Sequence, residues 1–173
     1  MTYPWNAGDI LTAADLNSEF GSKLNIAGGK ILQIVRATDT TNRSTTSTSY
    51  VDVTGMSVTI TPQKSDSAII LMAFGYADTS ASSGSNFIGR IALTDNSNNT
   101  LSGAQDTFIG MENVTYSGTA AWYTSFVLVG YSTPATTSAT TYKMRFRSGA
   151  ATCTTRIMNA NTTGQLYAIE VSA

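Results

Sequence analysis

Few side chains in this sequence could do chemistry, and their types exclude most enzyme classes. The chain contains no histidine, which removes Ser-His-Asp and Cys-His nucleophilic systems and the commonest zinc ligand. Asp95 and Asp106 are the two carboxylates that could meet across a hairpin, as glycoside hydrolysis requires. Both also suit turns, because Asp bonds its own backbone there. No glycine-rich phosphate loop or dinucleotide motif is present. The sequence therefore predicts that the protein is not an enzyme.

A second candidate for chemistry is the stretch DNSNNTLSGAQD, residues 95–106, which loosely follows the spacing of a calcium loop. Asp95, Ser97 and Asn99 alternate, and Asp106 occupies the twelfth place. The glycine at the sixth place and the bidentate glutamate at the twelfth are both missing. We expect neither a metal nor another cofactor. Cys153 is the only cysteine, which excludes an internal disulfide framework.

Length and charge limit the partners that the chain can have. Its 173 residues suit one domain, or one domain with an appendage. Charged residues make up 12% and the net charge is -1, so no basic stripe supports nucleic-acid binding. The longest apolar run, Ala68 to Phe74, is too short to cross a bilayer, and no signal peptide is visible. We expect no membrane insertion and synthesis in a cytoplasm.

The elements that must position these residues are strands, because apolar residues alternate and turn residues punctuate them. The pattern is clearest in TYKMRFRS, where Tyr142, Met144 and Phe146 face inward and Lys143, Arg145 and Arg147 face outward. About nine strands and no second helix follow. The strand-like runs are 30–38, 50–60, 68–77, 86–94, 107–111, 113–116, 120–131, 141–148, 155–159 and 165–171. The predicted fold is mainly β, an antiparallel β-sandwich of jelly-roll type, preceded by one short N-terminal α-helix.

Two of the runs are apolar on both faces. AIILMAFGYA, residues 68–77, is therefore predicted to be a central strand buried on both sides. In the run 120–131, Trp122 shares a face with Phe126 and Leu128, which predicts that it packs in the core. A two-layer sandwich covers only one face of each sheet, so the other face of this run needs a partner subunit. The candidates for that subunit interface are Val127, Val129 and Tyr131.

The segment GDILTAADLNSEF, residues 8–20, predicts the single helix. Thr12 caps its start and Asp15 follows three residues later, while Leu11 and Leu16 have the spacing of a hydrophobic staple. An apolar stripe continues every four residues, and the pattern ends at Ala27–Gly29. The stripe consists of Leu16, Phe20 and Leu24. A helix this short is stable only when its apolar stripe packs against another surface. That surface is either the protein's own sheet or a partner, and the apolar anchor Trp5 favours a partner. We divide the chain into an attachment segment, residues 1–29, and a β-sandwich domain, residues 30–173.

Stretches at both ends and in the middle of the chain resemble bacteriophage tail fibre and related virion appendage proteins. WNAGDILTAADLNSEF, residues 5–20, resembles their N-terminal attachment segment, in which G-(D/E)-x-L-T-A-x-D-L-N recurs. The stretches KILQIV, TSTSYVDVTGMSVTITP and TSATTYKMRFRS look like the β-domain of small phage tail fibres, including those of cyanobacterial and marine phages. Such chains often close on Leu-x-x-x-Glu-(Ile/Val), matched here by Leu166, Glu170 and Val171.

The resemblance implies a structural virion protein, typically a homotrimer, made in the host cytoplasm and carried on the phage tail. Its N-terminal segment would attach to tail or baseplate proteins, and its β-domain would face outward toward the host cell surface and its glycans. The implied attachment residues are Trp5, Leu11, Leu16, Phe20 and Leu24. Two other functions remain open from the sequence. One is a capsid decoration or cement protein, and the other is a carbohydrate-binding module that stacks sugars on Tyr76, Tyr116, Trp122 or Tyr131.

Overall fold

Ten β-strands make up the regular structure of the computed structural model, which describes residues 29–82, 87–112 and 117–173. No helix occurs within these ranges. The helix predicted near the N-terminus and the strand predicted at 113–116 lie outside the described residues. The strands are β1 (Ile31–Asp39), β2 (Arg43–Thr45), β3 (Val51–Ile60), β4 (Ala68–Ala81), β5 (Phe87–Asp95), β6 (Thr107–Met111), β7 (Ala120–Ser132), β8 (Thr140–Ser148), β9 (Cys153–Ile157) and β10 (Gly164–Val171).

The strands form two antiparallel sheets that pack face to face. The six-stranded sheet has the order β1-β10-β4-β9-β2, and β7 pairs with the free side of β4. The four-stranded sheet has the order β3-β8-β5-β6. Every described pairing is antiparallel. The prediction of a mainly β, antiparallel sandwich is confirmed.

The core lies between the sheets because alternate residues of each strand point inward. On β8, Tyr142, Met144 and Phe146 are buried, as the alternation predicted. They meet inward residues of β4 such as Ile69 and Leu71, which are fully buried in the same cluster. Burying side chains of this size contributes about 1.5–3 kcal/mol each.

Strand β4 holds the six-stranded sheet together, as its apolar sequence predicted. It pairs with β7 along its whole length, with β10 from Ala68 to Phe74 and with β9 from Ala77 to Ala81. The prediction of burial on both sides is wrong for its first half. There the inward face is buried, whereas outward residues such as Met72 and Phe74 are only half-buried, because no described element covers them.

Two local features separate the observed strands from the predicted ones. No strand was predicted between the runs 30–38 and 50–60, but Arg43–Thr45 form β2 by pairing with β9. Its sequence, RST, is too short and polar to show any alternation. Within the predicted run 50–60, the register of β3 against β8 shifts between Asp52 and Ser57. Gly55 has φ +93° and its Cα faces the Asp39 carboxylate, so a side chain there would clash.

Candidate interaction surface

The outward face of the six-stranded sheet is largely apolar where β1, β10, β4 and β7 lie side by side, and no described strand packs on it. Register places its side chains in rows that cross β1, β10, β4 and β7. One row contains Ile34, Ile169, Ile70 and Tyr131, since partners in antiparallel strands share a face. One cation lies in these rows: Arg36 on β1 has its guanidinium 6.0 Å from the centroid of the Tyr167 ring. We call this surface the apolar face; it comprises Ile34, Ile70, Met72, Phe74, Val127, Val129, Tyr131, Tyr167 and Ile169.

The β7 edge of the apolar face is strongly exposed. The exposed fractions are 60% for Val127, 47% for Val129 and 52% for Tyr131. These are the residues proposed from the sequence as a subunit interface, and their strand phase is as predicted. Tyr131 also donates its backbone N–H to the carbonyl of Ser102, which fixes this end of the strand.

The opposite edge of the apolar face contains a shallow groove with a volume of about 460 Å³. Tyr167 and Phe74 meet edge to face there, with ring centroids 6.1 Å apart. Ile34, on the edge strand β1, is 56% exposed. The groove is lined by Ile34, Met72, Phe74, Gln165, Tyr167 and Ile169. An uncharged lining of this kind suits an apolar side chain rather than a polar ligand.

The four-stranded sheet presents a charged outer face instead. Asp52 accepts hydrogen bonds from Lys143 Nζ at 3.1 Å and Arg145 Nε at 2.7 Å. Burial tends to raise the pKa of Asp52, but these two cations outweigh it and hold the pKa below its ordinary value. Lys143 and Arg145 thus lie on the outward side predicted for them. Exposed ion pairs of this kind contribute little stability, and their main effect is to keep this face hydrated.

A second polar cluster on that face contains Asp106. Tyr50 donates its hydroxyl to Asp106 at 2.5 Å, and Arg147 Nη2 donates at 3.3 Å. Burial together with the bond to Asp106 raises the pKa of Tyr50 to about 12, so the phenol stays protonated. Arg90 lies over the Phe108 ring, 4.9 Å from its centroid, and pairs with Asp106. Every charge in this cluster has a partner, which is typical of a structural network.

The two carboxylates considered for catalysis have separate partners. Asp95 accepts from the backbone N–H and the side-chain amide of Asn99, both at 2.9 Å, and so closes the turn after β5, in line with the turn role considered for it. Asp106 binds Tyr50 and Arg147 as above. Within the described residues, no group of three or more Asp, Glu or Cys side chains could hold a metal. Cys153 is buried at the start of β9.

Glu170, which the sequence showed only as part of the terminal Leu-x-x-x-Glu pattern, is fully buried, and its described partners are neutral. Its carboxylate accepts from Gln33 Nε2 at 2.6 Å, from the backbone N–H of Gln63 at 2.8 Å and from that of Lys64 at 3.2 Å. The residue therefore ties the end of β10 to β1 and to the loop after β3.

The sequence prediction for Trp122 is wrong. The residue was predicted to pack in the core beside Phe126 and Leu128, yet it is 43% exposed whereas those two are buried. Trp122 does lie on the same face of β7 as Phe126 and Leu128. It pairs with Thr79 near the start of β7, however, and so lies beyond the main core cluster. A strand can keep its phase and still extend past the layer that would cover it.

Sequence reasoning missed most of the groove. Met72 and Phe74 were taken as doubly buried, and Ile34, Tyr167 and Ile169 were not singled out. The sequence did show that the run 68–77 has a second apolar face. The prediction buried that face within the protein and did not assign it to a partner. The proposed attachment residues Trp5, Leu11, Leu16, Phe20 and Leu24 lie outside the described residues.

Comparisons with known proteins add little to this geometry. No family model and no curated protein matches the chain. One solved structure with some likeness is titled "Structure of infectious bursal disease virus Gx strain"; the match has 14% sequence identity and a TM-score of 0.29. It covers 82% of this chain, which spans 41% of that one. At so low a TM-score the two chain paths differ too much to support an inference.

The described residues form no helix that is long and apolar enough to span a bilayer.

Proposed function

We propose that this protein is a structural component of a bacteriophage particle, a short tail fibre or baseplate appendage. It attaches through residues 1–29 and displays the β-domain, which contacts the host surface and its glycans. The observation that carries the proposal is the apolar face. A monomer rarely leaves so continuous an apolar surface in water, so the face fits a protein that works inside an assembly.

The proposed assembly is a homotrimer. Val127, Val129 and Tyr131 supply its subunit contact, because each is about half exposed or more and the three lie together on β7. Closed cyclic symmetry repeats one interface without leaving a free patch. The charged face of the four-stranded sheet then remains in solvent and keeps the assembly dispersed.

The finer fold assignment, a jelly roll, is part of the proposal. If β2 and β9 are set aside, eight strands remain and are renumbered one to eight in chain order. The sheets then read one-eight-three-six and two-seven-four-five. Such interleaving of two four-stranded sheets is the wiring of a jelly roll, an architecture common in viral capsid and lectin domains. This is support by analogy of fold.

The proposal includes no catalytic activity and no cofactor. The carboxylates that could have formed an acid–base pair, Asp95 and Asp106, are each committed to local partners. The buried carboxylate Glu170 is held by neutral donors between strands, which suits a structural role.

A capsid decoration protein is the second candidate, because the apolar face would serve equally well for docking on a shell. The two functions differ in where the protein sits on the particle. Gold-labelled antibodies against the β-domain, viewed on intact particles by electron microscopy, should mark the tail. Label distributed over the head would support the decoration protein, and unlabelled particles would contradict both.

Attachment through the N-terminal segment has its own test. We expect the variant L16S/F20S to be lost from purified particles while its β-domain remains folded. The matched control is N17A/S18A, which changes polar positions of the same segment and should be incorporated normally. Normal incorporation of L16S/F20S would show that attachment lies elsewhere.

A further inference from the structure

The groove on the apolar face lies beside the point where the N-terminal segment joins the sheet. Gly29 donates its N–H to the carbonyl of Ser172 at 3.0 Å, at the end where β1 begins. Ile31, two residues later, is 55% exposed. The 28 residues that precede Gly29 therefore enter beside the exposed edge of the groove.

The segment carries side chains that match the groove. Leu16, Phe20 and Leu24 recur every four residues and form one stripe in the predicted helix. From Leu16 to Leu24 such a helix extends about 12 Å. In the groove, the distance along β4 from the row of Ile70 to the row of Phe74 is about 13 Å. The two apolar surfaces thus have the same length.

The connection is long enough for the chain to fold back. Leu24 and Gly29 are five residue steps apart, which reach about 17 Å when the chain is extended. The row of Ile34 lies about 16 Å along the strand from Gly29. Folding back requires a reversal of the chain before β1, and Gly29 has φ +82°, a conformation that glycine adopts without strain.

We propose that residues 12–24 pack into this groove of their own chain in the unassembled protein. The stripe that later attaches to the virion is thereby stored on the protein's own sheet until a virion partner displaces it. The groove takes the stripe, while Val127, Val129 and Tyr131 stay free for the neighbouring subunit. This inference rests on the proposed attachment function and adds its regulation.

Disulfide trapping in the full-length protein tests the contact directly. We expect the variant L24C/I34C to form a disulfide within one chain on mild oxidation, seen as a faster band at the monomer mass on a non-reducing gel. The control L24C/S57C places the second thiol on the exposed outer side of the other sheet and should not close. Native Cys153 is 1% exposed and is kept in both variants. A disulfide between two chains, or none, would overturn storage within the chain.

Trypsin gives a second measurement. Lys23 is the only Lys or Arg among residues 1–28, so cleavage after it reports release of the segment. We expect I34E to increase the cleavage rate about tenfold or more, because proteolysis follows the open population. S57E, on the other sheet, should cleave like the wild type. Equal rates for I34E and wild type would contradict the proposal.

The two proposals fail separately. If L16S/F20S is incorporated normally while L24C/I34C still closes, the attachment function is wrong and the packing is right. If L24C/I34C stays open while L16S/F20S is lost from particles, attachment stands and storage fails.

Discussion

At the scale of single residues, Glu170 is one of two fully buried carboxylates described, the other being Asp78. A fully buried carboxylate is costly unless hydrogen bonds replace its water. Gln33 supplies one bond and also donates to the Thr61 carbonyl at 2.6 Å, while two backbone N–H groups supply the others. Burial tends to raise the pKa of Glu170, but these donors outweigh it and lower the pKa below its ordinary value of 4.5.

The first prediction is that Glu170→Gln lowers the free energy of unfolding at pH 7 by about 1.5–3 kcal/mol, the usual worth of hydrogen bonds to a charged group. Because the folded-state pKa is below the unfolded one, the charged form stabilises the fold fully above the unfolded pKa. That stability is lost as the pH falls through the folded pKa. Urea unfolding at pH 7, 5, 4 and 3 should therefore show a smaller loss for the variant than for the wild type.

The exposed residue Glu112 provides the control, since E112Q should change neither the stability nor its pH dependence beyond about 0.5 kcal/mol. If E170Q and wild type lose stability in parallel on acidification, the buried charge is not the source of the acid sensitivity.

Residue roles of this kind could be predicted only where the partner is close in sequence. The bond from Asn99 to Asp95 spans four positions and follows from turn chemistry. The backbone donors to Glu170 lie more than a hundred positions away, at Gln63 and Lys64, so no local pattern shows them.

At the scale of elements, the contact between β4 and β7 depends on a glycine. Gly75 is buried opposite Phe126, and a Cβ there would lie 2.6 Å from the tip of the Phe126 ring. The ring thus occupies the space that any larger residue would fill. Phe126 is one of the two β7 residues in the main core cluster.

The second prediction is that Gly75→Ala destabilises the protein by about 1–3 kcal/mol, because the ring must move from a well-packed position. Chemical denaturation measures this. Ser125→Ala, at an exposed position beside Phe126, should have almost no effect. A G75A variant as stable as the wild type would show that the ring has room to move.

The third prediction concerns the N-terminal segment. Deleting residues 1–28 should leave a β-protein with one cooperative thermal transition, because the described sandwich has its own core of more than twenty buried apolar side chains. Circular dichroism during heating measures it. A truncated protein without a transition would place the segment in the core and contradict the attachment proposal.

Strand positions were predictable from alternation wherever a strand faces the core on one side, as in β8. The prediction missed β2 because three polar residues carry no period, and Arg43–Thr45 become a strand only by pairing with β9. It misjudged Trp122 for a different reason: periodicity gives the face of a strand but not how far the opposite sheet extends.

At the scale of the whole molecule, the two outer faces differ in kind. The four-stranded sheet shows Asp52, Lys143 and Arg145 to solvent, while the six-stranded sheet shows the apolar face. Because one outer face of the sandwich is charged and the other is apolar, the domain suits an assembly that encloses the apolar side. The sequence indicated two sheets, but register across four strands was needed to show that their apolar residues form one surface.

The most direct test of the assembly claim is the mass of the full-length protein by sedimentation equilibrium at micromolar concentration. The account predicts a trimer with three times the chain mass of 18.2 kDa. The variant V127K/V129K should shift it to the monomer while retaining a cooperative melt, and the control T54K/S57K on the other sheet should leave it trimeric. A wild-type mass of 18.2 kDa that does not change on concentrating would contradict the account.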